Sequence, residues 1–313
     1  MRAGGEDSGR ASLRNALTDR DGRPWAISDR ELGRLAYLSE ATRKLFLDSV
    51  FRYGRGHCGP CLSEIEILIT LYFAELRLDA ANPRAPDRDR FILSKGHGAL
   101  GLYCVLAQRG LIAKEELATF ESLGSRLQGH VDSIHLPWIE LTTGSLGQGL
   151  SVALGMAIGA RRLGKDIRAY CVLGDGETQE GNVWEAAMAA AKFKADNLVA
   201  IVDWNGLQGG VTMEVMPSLE PFAAKWEAFG WHVIEVPGHD VGALLGAYHQ
   251  ARSVRGKPSV IVARTVKGKG VSYMENQVEW HGGTVTGPLY ERAMREIEPR
   301  LEALRANGTA GPW

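Results

Sequence analysis

The chain lacks any imbalance of charge: 36 Lys and Arg stand against 37 Asp and Glu in 313 residues, a formal net charge of -1. That excludes the basic footprint by which proteins neutralise nucleic-acid phosphates or anionic membranes. It also lacks any apolar run of the roughly 20 residues needed to span a bilayer. The segment up to Arg23 is rich in Gly, Arg and Asp and has no apolar centre of a secretory leader. The expectation is a cytoplasmic protein with a disordered tail over 1–25 and one domain over 26–313. Cysteine is scarce, at four residues. Cys104 and Cys171 lie in apolar runs and read as core thiols. Cys58-Gly59-Pro60-Cys61 spells a dithiol motif, and Cys61 precedes a helical pattern. The segment before Cys58 is not a strand, so coincidence at a glycine-rich turn is the favoured reading. No internal repeat or low-complexity tract is present.

What the chain has is alternation of strand and helix signals. Asp29 to Tyr53 carries Leu32, Leu35, Leu38, Leu45 and Phe46 on a helical period, and a second helix is expected over Ser63 to Glu75. Arg90 to Leu93 reads as a short strand, followed by helices near Ala99 to Arg109 and Lys114 to Ser122. Gly144-Ser145-Leu146-Gly147-Gln148-Gly149 is a glycine-rich turn opening an Ala/Gly/Met helix through Arg162. Beyond Asp203 the pattern predicts helices over Ser218 to Phe229, Val241 to Ser253 and Pro288 to Arg305, with strands over Trp231 to Val236 and Pro258 to Val266. The fold class is α/β, a doubly wound and mostly parallel sheet with helices on both faces.

The most informative unit is the pair of β-branched-rich runs Arg168 to Leu173 and Asn197 to Asp203, with an Ala-rich helix from Gly181 to Lys194 between them. A strand, helix, strand unit of this kind crosses over right-handedly, so both strands point the same way. Asp175 and Asn205 then emerge together at carboxyl ends, where open α/β sheets bind ligands. Mg2+ takes hard oxygens, usually one or two carboxylates with phosphates and water. Asp175 offers a carboxylate, Asn205 an amide oxygen and Leu207 a backbone carbonyl. Gly174 and Gly176 flank Asp175 and are expected to let backbone N–H groups approach an anion, with a helix start beyond. A lone Gly-Asp-Gly turn is commonly only a turn; the Asn after a second strand favours a cation and diphosphate site.

Of the eight histidines, His57, His97, His130 and His281 sit beside glycine in loop motifs. A lone histidine is usually inert, but four in glycine turns are candidates for proton transfer and for binding hydroxyl or phosphate groups. His135, His232, His239 and His249 lie outside those motifs, although His239 follows Gly238. Lys267 and Lys269 could attract a diphosphate, although lysines in a glycine loop are commonly just solvated. Glu180 sits where a helix-start carboxylate is favoured by the dipole alone.

Taken as an ordered set, Gly56-His57-Cys58-Gly59, Ser94-Lys95-Gly96-His97-Gly98, Gly144 to Gly149, Gly174 to Gly181 and Asp203 to Gln208 resemble the N-terminal, diphosphate-binding half of transketolases. These thiamine diphosphate enzymes move two-carbon ketol units between sugars. The resemblance runs from about Asp29 to about Gly283. It implies a thiamine diphosphate-binding fold in which Asp175, Asn205 and the Leu207 carbonyl hold Mg2+. His97, Gly174 and Gly176 would lie at the diphosphate, and Gly144 and Leu146 along the ring system. His57, His130 and His281 would contact cofactor or substrate and assist proton transfer, and Glu180 would lie at a subunit interface. The chain departs from the family pattern at Cys58, Ser145 and Trp204, where Pro, Pro and Asn are usual. Its length implies a split enzyme: a second subunit would carry the pyrimidine-binding and C-terminal domains, two of each chain would form a heterotetramer, and sugars or sugar phosphates would be the substrates. Rival readings are one component of a 2-oxo acid dehydrogenase or acyloin-forming enzyme, and a non-catalytic assembly subunit.

Overall fold

The computed structural model describes residues 27–54, 56–209, 211–212 and 219–308. The expected tail over 1–25 lies outside them. The chain enters α1 (Asp29–Tyr53) through a capping box, in which Ser28 Oγ accepts the Glu31 N–H and Glu31 accepts the Ser28 N–H. Such a box contributes about 1 kcal/mol to a helix start.

Five strands form one parallel sheet: β1 (Arg90–Leu93), β2 (Ala169–Gly174), β3 (Leu198–Trp204), β6 (His232–Pro237) and β7 (Ser259–Arg264), in spatial order β1-β2-β3-β7-β6. The direction of winding reverses beyond β3, because the chain goes next to the far edge and returns beside β3. A small antiparallel hairpin, β4 (Leu207–Gln208) and β5 (Val211–Thr212), follows β3 and has no counterpart in the sequence pattern.

Successive strand residues face opposite sides, and each side has its own core. Tyr170, Val172, Val199, Ile201 and Ile261 pack with α1, the helical segment 58–75, α4 (Ala99–Gln108), α8 (Val241–Ser253) and α9 (Gly287–Ala306). Cys171, Leu173, Ala200, Val202 and Val262 pack with α5 (Gln148–Arg162), α6 (Gly181–Lys192) and α7 (Phe222–Ala228). Helices therefore cover both faces, as expected. Ala153 and Ala157 of α5 and Ala186, Ala187 and Ala190 of α6 are buried, and their small side chains let backbone and sheet approach closely.

Several boundaries differ from expectation. The single helix expected over Ser63 to Glu75 starts earlier and is broken: α2 (Cys58–Ser63), α3 (Ile65–Thr70) and a π-helical turn (Leu71–Glu75), with Glu64 at the break. The stretch after Lys114 is a short 3-10 segment, Lys114–Thr119. The helix expected from Ser218 begins at Phe222, after Pro221, whose ring stops the chain from continuing a helix backwards; Ser218 itself lies outside the described residues. Cys58 does open a helix, against expectation. Its thiol and that of Cys61 are fully buried, and burial pushes Cys58 up to about 12 and Cys61 well above the usual thiol range. Neither is a reactive thiolate. Cys104 and Cys171 are core thiols, as expected.

Candidate functional site

Gly174 pairs with Asp203 at the last rung between β2 and β3. The loops that begin at Asp175 and after Trp204 therefore leave neighbouring strands at one level. Asp175 Oδ2 accepts the N–H groups of Asn205 (2.9 Å) and Gly206 (2.6 Å), and Oδ1 accepts that of Gly176 (2.7 Å). Burial pushes the Asp175 carboxyl up to about 6; repulsion from Asp203 adds to this, while the N–H donors and Lys95 oppose it. Asn205 Oδ1 accepts the Leu207 N–H at 3.1 Å, and the Leu207 carbonyl accepts from Lys267 Nζ at 3.2 Å.

These groups line one cleft of about 370 Å³ at the carboxyl ends of the strands, together with Lys95, His97, Leu146, Gly174, Gly176, Glu177, Gln179, Gln208 and His281. One expectation about its glycines fails. The Gly176 N–H goes to Asp175 and the Gly174 N–H to Glu177 Oε2 (3.0 Å), so both are engaged by carboxylates within the fold. What Gly176 provides is space, since a Cβ there would lie 2.2 Å from Gln208 Oε1 and 2.7 Å from Gln208 Cβ.

Two buried residues that lie inside the motifs, and to which sequence reasoning assigns no role, organise this floor. Glu177 accepts from Ser94 Oγ, from the Gly147 N–H (2.8 Å) and from the Gly174 N–H, tying the glycine turn before α5 to the ends of β1 and β2. Burial raises it above the usual carboxyl range against those three donors. Lys95 is 1% exposed and donates to Asp203 Oδ2 (2.5 Å) and to the Pro60 carbonyl (2.9 Å). Burial works to raise Asp203, but the Lys95 ammonium and the hydroxyl donors Ser63 and Thr265 together outweigh it and hold that carboxylate below its usual range. Their place within the motifs is the one signal of them that the sequence offers.

The two lysines weighed together in the sequence part company. Lys267 is buried beside the cleft, 3.0 Å from His281 Nδ1, and burial with the nearby Lys95 charge pulls its ammonium down to about 8. Lys269 is paired outward with Glu275 at 3.2 Å. Their loop is fastened from below: His239 Nε2 accepts the Val266 N–H (2.8 Å), and Arg43 Nε donates to the Lys269 carbonyl (2.8 Å). Glu66 joins the two anchors, 2.6 Å from Arg43 and 2.8 Å from His239 Nδ1.

The four candidate histidines, His57, His97, His130 and His281, meet. The His57 ring centroid lies 5.7 Å from that of His97, 5.8 Å from that of His130 and 5.8 Å from that of His281; His97 and His281 are 5.2 Å apart. A two-stranded bridge between Gly56 and Gly283, with N–H to carbonyl distances of 3.1 and 3.0 Å, brings the His57 and His281 segments together. Burial lowers His57, further lowered by His130; it lowers His97 well below the imidazole range, helped by Lys95; and it takes His281 to about 4, helped by Lys267. At neutral pH these three imidazoles are uncharged and able to accept a proton or a hydroxyl hydrogen. His130 is exposed at the rim, against Gly144, whose φ of +141° is open to glycine alone and where a Cβ would lie 2.9 Å from His130 Cδ2. Leu146 lines the cleft beyond it.

Glu180 is placed differently from the rest. It is the residue before α6, exposed, with extended backbone and no capping hydrogen bond. It packs against Gly147, where a Cβ would lie 2.7 Å from Glu180 Cβ. His135, by contrast, pairs with Asp132 on the surface, and His249 is buried beside Arg252, so neither joins the cluster.

The class of this chain is thereby defined by fold and by comparison: residues 36–298 match the family described as transketolase, thiamine diphosphate binding domain, and the chain belongs to that family. Within it, relatives named as subunits are matched over nearly their whole length. The chain is 43% identical over 267 residues to an apulose-4-phosphate transketolase subunit of Phocaeicola vulgatus, covering 85% of this chain and 94% of that protein. It is 42% identical to the 6-deoxy-6-sulfo-D-fructose transketolase subunit SqwG of a Clostridium species, covering 84% and 96%. Human transketolase is 38% identical over 274 residues, and there the chain spans 43% of the relative's length. The crystal structure of transketolase from Campylobacter jejuni superposes with a TM-score of 0.79 at 30% identity, covering 86% of this chain and 43% of that one. No helix among the described residues is long and apolar enough to cross a membrane.

Proposed function

We propose that this chain is the thiamine diphosphate and Mg2+ binding subunit of a two-chain transketolase, transferring a two-carbon ketol unit from a ketose to an aldose. The observation that carries the reading is the juxtaposition, at one sheet edge, of three hard oxygen donors with a ring of mostly uncharged histidines. Asp175, Asn205 and the Leu207 carbonyl make a donor set of one carboxylate and two neutral oxygens, which suits Mg2+ that keeps phosphate oxygens and water as its other ligands. Among the described residues no group of three or more His, Cys, Asp or Glu side chains is placed to hold a metal ion by itself, the histidine cluster included.

The chemistry supplied by bound thiamine diphosphate is an acidic ring carbon that can accept a ketol unit and release it to an aldehyde. The chain's own residues position and neutralise. Lys267 and the metal donors would hold the diphosphate end, with His97, Gly174 and Gly176 along it. His57 and His281 would receive or return protons at the hydroxyl groups of the donor sugar, and His130 at the rim would orient it. Gly144 and Leu146 would bound the ring system. Glu180, exposed at the start of α6, would meet the partner subunit.

That partner would supply the pyrimidine-binding and C-terminal domains, two chains of each kind would associate with the cofactor between them, and the assembly would work in the cytoplasm on sugars or sugar phosphates. The relatives matched over nearly their whole length are named as subunits, which supports this arrangement. The test is calorimetric titration of thiamine diphosphate with and without Mg2+ into the chain mixed with its partner. Metal-dependent binding lost in Asp175→Ala supports the reading, and metal-independent binding contradicts it.

A further inference from the structure

Behind the cleft floor lies a carboxyl group that the mechanism does not use. Glu64 stands at the break between α2 and α3, fully buried. Its Oε2 is 3.1 Å from Lys95 Nζ, close enough for an ion pair but outside hydrogen-bond geometry, and neither oxygen has a hydrogen-bond partner. A Cβ on Gly98 would lie 2.2 Å from Glu64 Oε1, and one on Gly101 would lie 3.2 Å from it, so the carboxyl group is pressed against the turn that carries His97 and against the first turn of α4. Lys95 and Pro60 line the cleft, and Glu64 is the next layer back.

A buried carboxyl group whose lone partner is an ion pair is destabilising to the fold. An alanine or leucine at this break would avoid that cost.

We propose that Glu64 is a positioning residue for the diphosphate end of the cofactor: its carboxyl group, wedged behind Lys95 against Gly98 and Gly101, sets the place of the Lys95 ammonium and of the His97 turn, and the cleft's hold on an anion depends on the charge that this group carries. The inference rests on the cofactor reading above. The charged and titratable groups facing Glu64 are Lys95 from the end of β1, Asp203 from β3 and Cys61 one turn earlier on α2; α4 meets it through Gly98 and Gly101. Burial raises the Glu64 carboxyl to about 8 against the pull of Lys95, with Asp203 adding to the rise. At pH 7 the group is a neutral wedge, and above pH 8 it places a second negative charge beside Asp203.

Thiamine diphosphate with Mg2+ is titrated into the chain mixed with its partner subunit at pH 7 and pH 9. In the unsubstituted protein the affinity falls for two reasons: Lys267 loses its positive charge and Glu64 gains a negative one. Glu64→Gln keeps the wedge and cannot ionise, so it binds as the unsubstituted protein does at pH 7 and loses about fivefold less affinity by pH 9. Glu64→Ala, which lacks both the wedge and the charge, binds about tenfold more weakly than Glu64→Gln at both values. Equal losses in Glu64→Gln and the unsubstituted protein, or full affinity in Glu64→Ala, would overturn the inference while leaving the cofactor reading intact. Should Glu64→Gln not fold, the infrared difference spectrum of the unsubstituted protein on adding cofactor decides. A protonated-carboxyl band perturbed at pH 7 and absent at pH 9 supports the inference, and no such band overturns it. An unsubstituted protein that binds no thiamine diphosphate at either pH overturns both readings together.

Discussion

Asp175 accepts the backbone N–H groups of Asn205 and Gly206 at 2.9 and 2.6 Å, so the loops after β2 and β3 share one carboxylate. Three N–H groups, counting that of Gly176, lose their acceptor when it is removed. Asp175→Ala is therefore expected to lose metal-dependent thiamine diphosphate binding and about 1–3 kcal/mol of stability. Calorimetry and denaturant unfolding check the two effects; loss of binding without loss of stability would show that the loops are not held by this group.

Lys267 separates charge from structure. Its ammonium is pulled down to about 8 by burial, so cofactor affinity is expected to fall as the pH rises through 8. Lys267→Met should bind thiamine diphosphate about tenfold more weakly at pH 7 and show a flatter profile above it. Titrations from pH 6.5 to 9 measure both; an unchanged slope in the variant would remove Lys267 from the diphosphate end.

Gly144 lies against His130 rather than against the metal donors. Gly144→Ala forces a β-carbon into 2.9 Å contact with the His130 ring at a φ of +141°, so turnover by the assembled enzyme is expected to fall about a hundredfold, more steeply than cofactor affinity. Steady-state kinetics beside cofactor titration distinguish this from a general loss of the site, in which both would fall together.

The histidine cluster makes a statement about acid stability. His57, His97 and His281 are all held below the free imidazole value, His281 at about 4, with burial the first cause in each. Between about pH 4 and 6.5 the unfolded chain binds more protons than the folded one, so stability rises with pH across that window and is lost as the pH falls through it. The melting temperature of the chain should drop from pH 7 to pH 5, and His281→Gln should drop less. Equal drops would mean that His281 is not shielded from protonation in the fold.

Much of this site can be read from the chain because its elements are local. The β-branched runs ending at Leu173 and Asp203 are buried strands, and a polar residue two positions after each must appear at the sheet edge; Asp175 and Asn205 follow from that alone. The four histidines stand out by their glycine neighbours. What is hidden depends on elements far apart in sequence. Lys95, Asp203, Glu64 and Thr265 meet only where β1, β3, the α2–α3 break and the end of β7 converge, and no local pattern announces a buried lysine between two carboxyl groups. The break at Glu64 itself is masked by a continuous apolar period from Cys61 to Phe73, which reads as one helix. The Gly174 and Gly176 N–H groups are open to assignment to a ligand because the sequence does not show that Glu177 turns back to take one of them.

The central claim, a cofactor subunit that turns over only with a partner, is tested most directly by ketol transfer. Purified chain is assayed with thiamine diphosphate and Mg2+, ketose donor and aldose acceptor, alone and mixed with a second chain bearing the pyrimidine-binding domain, with Asp175→Ala as control. The account predicts no product from the chain alone, product from the mixture, and none from the mixture containing the variant. Turnover by the chain alone, or a mixture that binds cofactor yet transfers no ketol unit, would contradict it.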